Sequence, residues 1–318
     1  MDQAGDLPGI GDGFAVQRTH ELYRALIARA AGMPPVVTAV VHPCDPASIR
    51  AVVDAASAGL ITPILVGPEA KIRAAAEGLD ISAFRLEAVP HSHAAAARAV
   101  ALVREGVAAM LMKGSLHTDE LMAEVVAADT GLRTARRLSH VYLMDVPRYP
   151  RPLLITDAAI NIAPTLEDKR DIVQNAIDLA HVLGIAKPRV AILSAVETVT
   201  SKLRSTIDAA ALCKMADRGQ ITGGRLDGPL AFDNAINMDA ARDKGIVSDV
   251  AGQADILVVP DLEAGNMLAK QLTFLAGADA AGVVLGARVP IILTSRADSP
   301  RARIASCAVA AELARSGV

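Results

Sequence analysis

The sequence predicts an α/β protein of two lobes, with parallel or mixed sheets covered by helices. Short β-branched runs alternate with Ala-rich helical stretches along most of the chain, the order expected of strands joined by crossover helices. The strand runs are apolar throughout instead of alternating, as strands buried on both faces are. The 318 residues correspond to about two domains at roughly 150 residues each.

In chain order, a strand is expected over 35–41 (PVVTAVV), then a helix over 46–59. A second strand covers 61–66 (ITPILV), and a helix begins near Pro68. Residues 84–89 and 93–105 form a third strand–helix unit, and 108–112 a short buried strand. In the middle, strands over 141–146 and 153–156 flank the turn-rich Pro147-Arg148-Tyr149-Pro150. A helix over 166–183, a strand over 190–193, a helix over 205–216 and a strand over 256–259 follow. A last strand over 289–293 leads into a closing helix from Pro300. Changes of pattern near Gly131 and Gly286 divide the chain into a discontinuous first domain, 1–130 plus 288–318, and a second domain, 131–287. A cleft between two such lobes is a usual ligand site.

Composition excludes several functions. Hydrophobic residues make up 52% and charged residues 21%, against disorder. A net charge of −3 and 2% aromatics offer neither the basic surface nor the stacking platforms of a nucleic-acid binder. The three cysteines, Cys44, Cys213 and Cys307, form no CxxC pair, so a zinc site or disulfide framework is not expected, and a reducing cytoplasm is. The amino terminus is acidic and Gly-rich, unlike a signal peptide, and no apolar run reaches the length that spans a bilayer. Gly9-Ile10-Gly11-Asp12-Gly13 follows no strand and fails as a dinucleotide fingerprint. His91 and His93 lack an evident third ligand for a metal.

Leu293-Thr294-Ser295-Arg296-Ala297-Asp298-Ser299 carries the strongest local signal. It follows a buried strand and precedes a helix opened by Pro300. Ligands of α/β sheets sit beyond the carboxyl ends of strands, and a helix amino terminus there attracts anions. The hydroxyls of Thr294 and Ser295 and the Arg296 guanidinium suit a phosphate or a developing oxyanion. The alternative makes Ser299 a plain helix cap and Arg296 a surface charge. Lys113-Gly114-Ser115-Leu116-His117-Thr118 ends another strand and can form an anion-binding turn, though without P-loop spacing. His117 reads more readily as a cap. Asp157 and Asn161 follow the strand ending at Thr156, as site or turn residues. Asn266 reads as the cap of a helix from Met267, and 217–220 and 227–229 read as turns.

Together these segments resemble the phosphate acetyl/butyryltransferase family. The resemblance rests on Lys113-Gly114, Gly131-Leu132-Arg133-Thr134, Ser139-His140-Val141, Thr156-Asp157 with Asn161 and Pro164, Lys214-Met215-Ala216-Asp217-Arg218-Gly219-Gln220, Asp227-Gly228-Pro229-Leu230-Ala231, and the 293–299 segment. It covers about two-thirds of the chain, and its wording looks closer to the phosphate butyryltransferases. It implies an isocitrate dehydrogenase-like architecture, a homodimer, and reversible transfer of a short acyl group between coenzyme A and inorganic phosphate. Ser295 matches the family serine that stabilises the transition state, and Arg296 the arginine that binds phosphate. Lys113, Gly114, Ser115, Asp157, Asn161, Thr294 and Asp298 are expected to contact substrate. The acetyl-branch aspartate seven residues after the serine is replaced by Ala302, and an upstream arginine is lost near Leu272 and Thr273. The base for the thiol is therefore unassigned, with Asp298 the nearest carboxylate. No metal or tightly bound cofactor is expected. A decarboxylating dehydrogenase on the same architecture would need aspartate ligands and several substrate arginines. A non-catalytic acyl-CoA or acyl phosphate sensor would fit the loss at Ala302.

Overall fold

Punctuation in the sequence sets most element boundaries. The computed structural model describes residues 21–293 and 298–317, so Gly9–Gly13 and residues 294–297 lie outside it. Helix α1 (Glu21–Ala31) leads into β1 (Val36–Val41). Asp45 caps α2 (Pro46–Ser57) by accepting from the Ser48 N–H, and Pro46 supplies a preset first-turn φ. Strand β2 (Ile61–Gly67), α3 (Glu69–Ala75), β3 (Arg85–Ala88), α4 (Ser92–Arg104), β4 (Met110–Lys113) and α5 (Thr118–Val125) complete the first run. Then come β5 (Ser139–Asp145), β6 (Leu153–Thr156), and α6 (Leu166–Val182), which Thr165 and Asp168 cap reciprocally. The chain continues through β7 (Arg189–Leu193), α7 (Arg204–Asp217), β8 (Arg225–Leu230), α8 (Phe232–Ile236), α9 (Met238–Asp243) and β9 (Ile256–Val258). Helix α10 (Leu262–Phe274), β10 (Asp279–Leu285), β11 (Ile291–Ile292) and α11 (Pro300–Ser316) close the fold.

All the strands join one mixed sheet in the order β3-β2-β1-β4-β11-β10-β5-β6-β9-β7-β8. It consists of two parallel blocks, β3-β2-β1-β4-β11 and β6-β9-β7-β8, joined by the antiparallel β10–β5 pair. Three antiparallel steps separate the blocks, so they run in opposite directions. Register then staggers them. Val284 lies opposite Ile291, which pairs with Leu111, while Thr156 lies opposite Val141, itself opposite Val283. The carboxyl ends of β4, β11 and β6 therefore reach the same level of the sheet, beside Gly282 and Tyr142.

One face of the sheet carries a continuous apolar core running from Val40, Met112 and Ile292 through Val141 and Leu143 to Val190 and Ile256, covered by α1, α2, α6, α7 and α11. The opposite face is divided. Val41, Leu111, Val284 and Ile291 pack with α4 and α5, whereas Met144, Ile155, Leu193 and Leu257 pack with α10 and its neighbours. His140, Tyr142 and Gly282 lie on this face between the two cores, His140 and Gly282 buried and Tyr142 packed against the second of them.

The expected strands and helices are recovered; helices α1, α5, α8 and α9 and strands β8 and β10 were not among them, and two readings are corrected. Helix α10 begins at Leu262, not Met267, because Asp261 accepts from the Ala264 N–H and caps it. Asn266 instead donates from Nδ2 to the Ala158 carbonyl at 3.2 Å. Asp227–Pro229 is part of β8 and not a turn. Gly228 fits there because a Cβ would lie 2.7 Å from the Ile192 carbonyl oxygen. Strand β10, read as no element in the sequence, supplies the join between the blocks.

Candidate active site

The end of β4 is fitted tightly against the end of β1. A Cβ on Gly114 would fall 2.5 Å from the Val41 carbonyl oxygen and 2.7 Å from that of His42, so only glycine lets the two turns approach this closely. The Gly114 N–H donates to the Val41 carbonyl at 2.9 Å. The Ser115 N–H and Oγ both donate to the His42 carbonyl, at 2.9 and 2.8 Å. Ser115 Oγ also accepts from the Cys44 N–H at 3.1 Å and lies 3.3 Å from His42 Nδ1. Lys113 Nζ turns back to the Gly114 carbonyl at 3.3 Å. Lys113, Gly114 and Ser115 thus form one cluster with His42 and Cys44. His117 precedes α5 and caps it, its N–H donating to Glu120 at 3.4 Å.

The turn after β6 is saturated from within. Asp157 accepts from the N–H groups of Ala159, Ile160 and Asn161 at 2.9, 3.1 and 3.1 Å. Asn161 donates to Asp157 and to the Leu138 carbonyl, and its Oδ1 accepts from Arg137 Nε at 2.7 Å. Both residues are buried. The bonds of Asn161 also tie the turn to Arg137 and Leu138.

Between these ends runs a polar row on β5. The His140 and Tyr142 rings meet edge to face with centroids 4.4 Å apart. Gly282 makes room for both, since a Cβ there would lie 2.7 Å from His140 Nε2. Burial pushes His140 down to about 4, with Asp157 acting against the shift, so its imidazole is neutral near pH 7. Its buried Nδ1 has no hydrogen-bond partner among the described residues. Burial, reinforced by the Asp298 carboxylate, pushes Tyr142 up to about 12. The next residue, Ser299, caps α11 by accepting from the Ala302 N–H at 3.1 Å. The sequence reading missed Tyr142 and Gly282. Their signal was a polar pair, His140 and Tyr142, two apart in an apolar strand.

Thr294, Ser295 and Arg296 lie outside the described residues. Leu293, which precedes them, directly follows β11, the strand paired with β4.

Comparison with known proteins decides the family. Residues 87–311 match the family described as phosphate acetyl/butaryl transferase. The chain belongs to this family. A phosphate acetyltransferase from Rhizobium meliloti is 70% identical over 291 residues, covering 91% of this chain and 92% of that protein. A phosphate butyryltransferase from Clostridium acetobutylicum is 42% identical over 272 residues, covering 85% and 90%. The crystal structure of a branched-chain phosphotransacylase from Enterococcus faecalis superimposes with a TM-score of 0.78 at 31% identity, covering 88% of this chain and 99% of that one. The family match includes the 113–118 and 293–299 segments that first pointed to it. The butyryl-like wording of those segments sits beside a more similar relative named for acetyl transfer, so wording alone does not set acyl length.

Proposed function

We propose that this chain reversibly transfers a short acyl group, acetyl, propionyl or butyryl, between coenzyme A and inorganic phosphate, directly and within a ternary complex. The two sheet blocks with their helices are the two lobes, 1–130 plus 288–318 and 131–287, and substrates meet between them. In the direction of thioester synthesis, the coenzyme A thiol loses its proton and attacks the carbonyl carbon of the acyl phosphate. The carbonyl oxygen gains charge that Ser295 stabilises, and Arg296 holds the departing phosphate, with Lys113, Ser115 and Thr294 lining its path. Coenzyme A is a substrate here, and no tightly bound cofactor, metal, nucleic acid or membrane partner enters the reaction. No helix among the described residues is long and apolar enough to cross a membrane, which is compatible with a cytoplasmic enzyme. Met267, Phe274 and Leu275 on and just after α10 are 58, 70 and 85% exposed, apolar surface suited to a homodimer.

The state of the cysteines supports direct transfer. Burial raises Cys44, and it pushes Cys213 and Cys307 up to about 12. None is a ready thiolate for a covalent acyl-enzyme. Initial-rate plots with acyl-CoA and phosphate varied together should therefore intersect. The triple Cys→Ser variant should keep most of its activity. Parallel plots, with an acyl group found by mass spectrometry on Cys44 or Ser295, would replace this mechanism with a double-displacement one.

A further inference from the structure

Ala302 offers no carboxylate for the thiol proton, and the His42–Ser115 pair has the geometry of an acceptor. His42 is the one non-glycine residue with positive φ, 53°, among those described. It is held in that conformation by bonds on both sides. Its N–H donates to the Val66 carbonyl at 2.7 Å, and its carbonyl accepts from the Cys44 N–H, the Ser115 N–H and Ser115 Oγ. A residue kept in a sparsely populated conformation by this many bonds is a candidate for function. The contacts point to one tautomer. With the Ser115 hydroxyl proton assigned to the His42 carbonyl at 2.8 Å, Ser115 Oγ accepts at the 3.3 Å contact with Nδ1, which leaves the lone pair on Nε2.

We propose that His42 is the proton acceptor for the coenzyme A thiol, held as the Nδ1–H tautomer by Ser115 at the edge where β1, β4 and β11 end together. The inference rests on the acyl transfer reading above. Nε2 takes the thiol proton as the S–C bond to the acyl carbon forms. The C–O bond to phosphate then breaks, and the imidazolium returns the proton to the departing phosphate, so the histidine ends as it began. The surroundings suit this cycle. Burial and Lys71 of α3 hold the His42 imidazole below the ordinary histidine range, while Glu120 of α5 and Asp45 of its own turn pull the other way. The ring is thus neutral and able to accept at pH 7, and the two carboxylates attend the imidazolium when it forms.

The test is the pH dependence of kcat for acyl phosphate plus coenzyme A in His42→Asn, since asparagine tolerates positive φ. At pH 7 kcat should fall about 100-fold, the lower end of a general-base contribution, with the KM for coenzyme A changed only a few-fold. The remaining rate should follow thiolate concentration, rising about tenfold per pH unit toward the thiol pKa near 8.5, where the wild type is flat. In His42→Gly, added imidazole should restore activity. A wild-type pH profile in His42→Asn, or a pH slope appearing in Asp298→Asn instead, would overturn the assignment. A wild-type enzyme that does not form thioester at all would sink the acyl transfer reading itself.

Discussion

Asp208→Ala should lower stability by about 3–5 kcal/mol, the usual cost of stripping one partner from a buried ion pair. Lys169 of α6 and Asp208 of α7 meet at 2.8 Å with side chains only 6 and 7% exposed. The pair ties together two helices that cover the continuous core beneath β7 and β9. Removing the carboxylate strands the Lys169 ammonium away from water and also takes the partner of exposed Arg204, 3.7 Å from Asp208. Removing both charges is a different matter, because apolar residues of similar volume also avoid the desolvation cost. Thermal unfolding should therefore show a large drop in Tm for Asp208→Ala and recovery of most of it in Lys169→Met/Asp208→Leu. A single variant that melts with the wild type would mean that water reaches the pair.

Arg296→Ala is expected to cost roughly tenfold or more in turnover or phosphate affinity while the protein folds normally. The residue follows β11, whose carboxyl end stands beside that of β4 with its Gly114–Ser115 turn. A guanidinium can meet two anionic oxygens of a phosphate at once, and charged hydrogen bonds contribute about 1.5–3 kcal/mol each. That range corresponds to roughly 10- to 150-fold in rate. Phosphate KM and kcat measured on the purified variant, beside its melting curve, separate a chemical loss from a folding one. Kinetics equal to wild type would remove Arg296 from the site.

Much of this was legible in the sequence because its punctuation is local. Asp45-Pro46, Thr165 with Asp168, and Ser299-Pro300 announce their helices within four residues, and apolar runs such as 36–41 can pack only as buried strands. What escaped the sequence reading depends on partners far along the chain. Strand β10, DAAGVVL, has small residues in place of a strong β pattern, and it is a strand because β5 and β11 flank it. Gly282 in its middle has meaning only beside His140 and Tyr142, some 140 residues earlier. His42 likewise looks like an ordinary turn residue until Ser115, from the end of β4, closes on it. For Asp157 and Asn161 the sequence showed a position after a strand, and it did not show how many of their polar atoms the folded turn engages.

The central claim is acyl transfer between coenzyme A and phosphate, and one assay addresses it directly. Purified enzyme is incubated with acetyl-, propionyl- or butyryl-CoA, with and without inorganic phosphate, and free thiol and acyl phosphate are both quantified. The account predicts phosphate-dependent thiol release with an equal amount of acyl phosphate for at least one of the three thioesters. Thiol release independent of phosphate, or none with any of them, would contradict it.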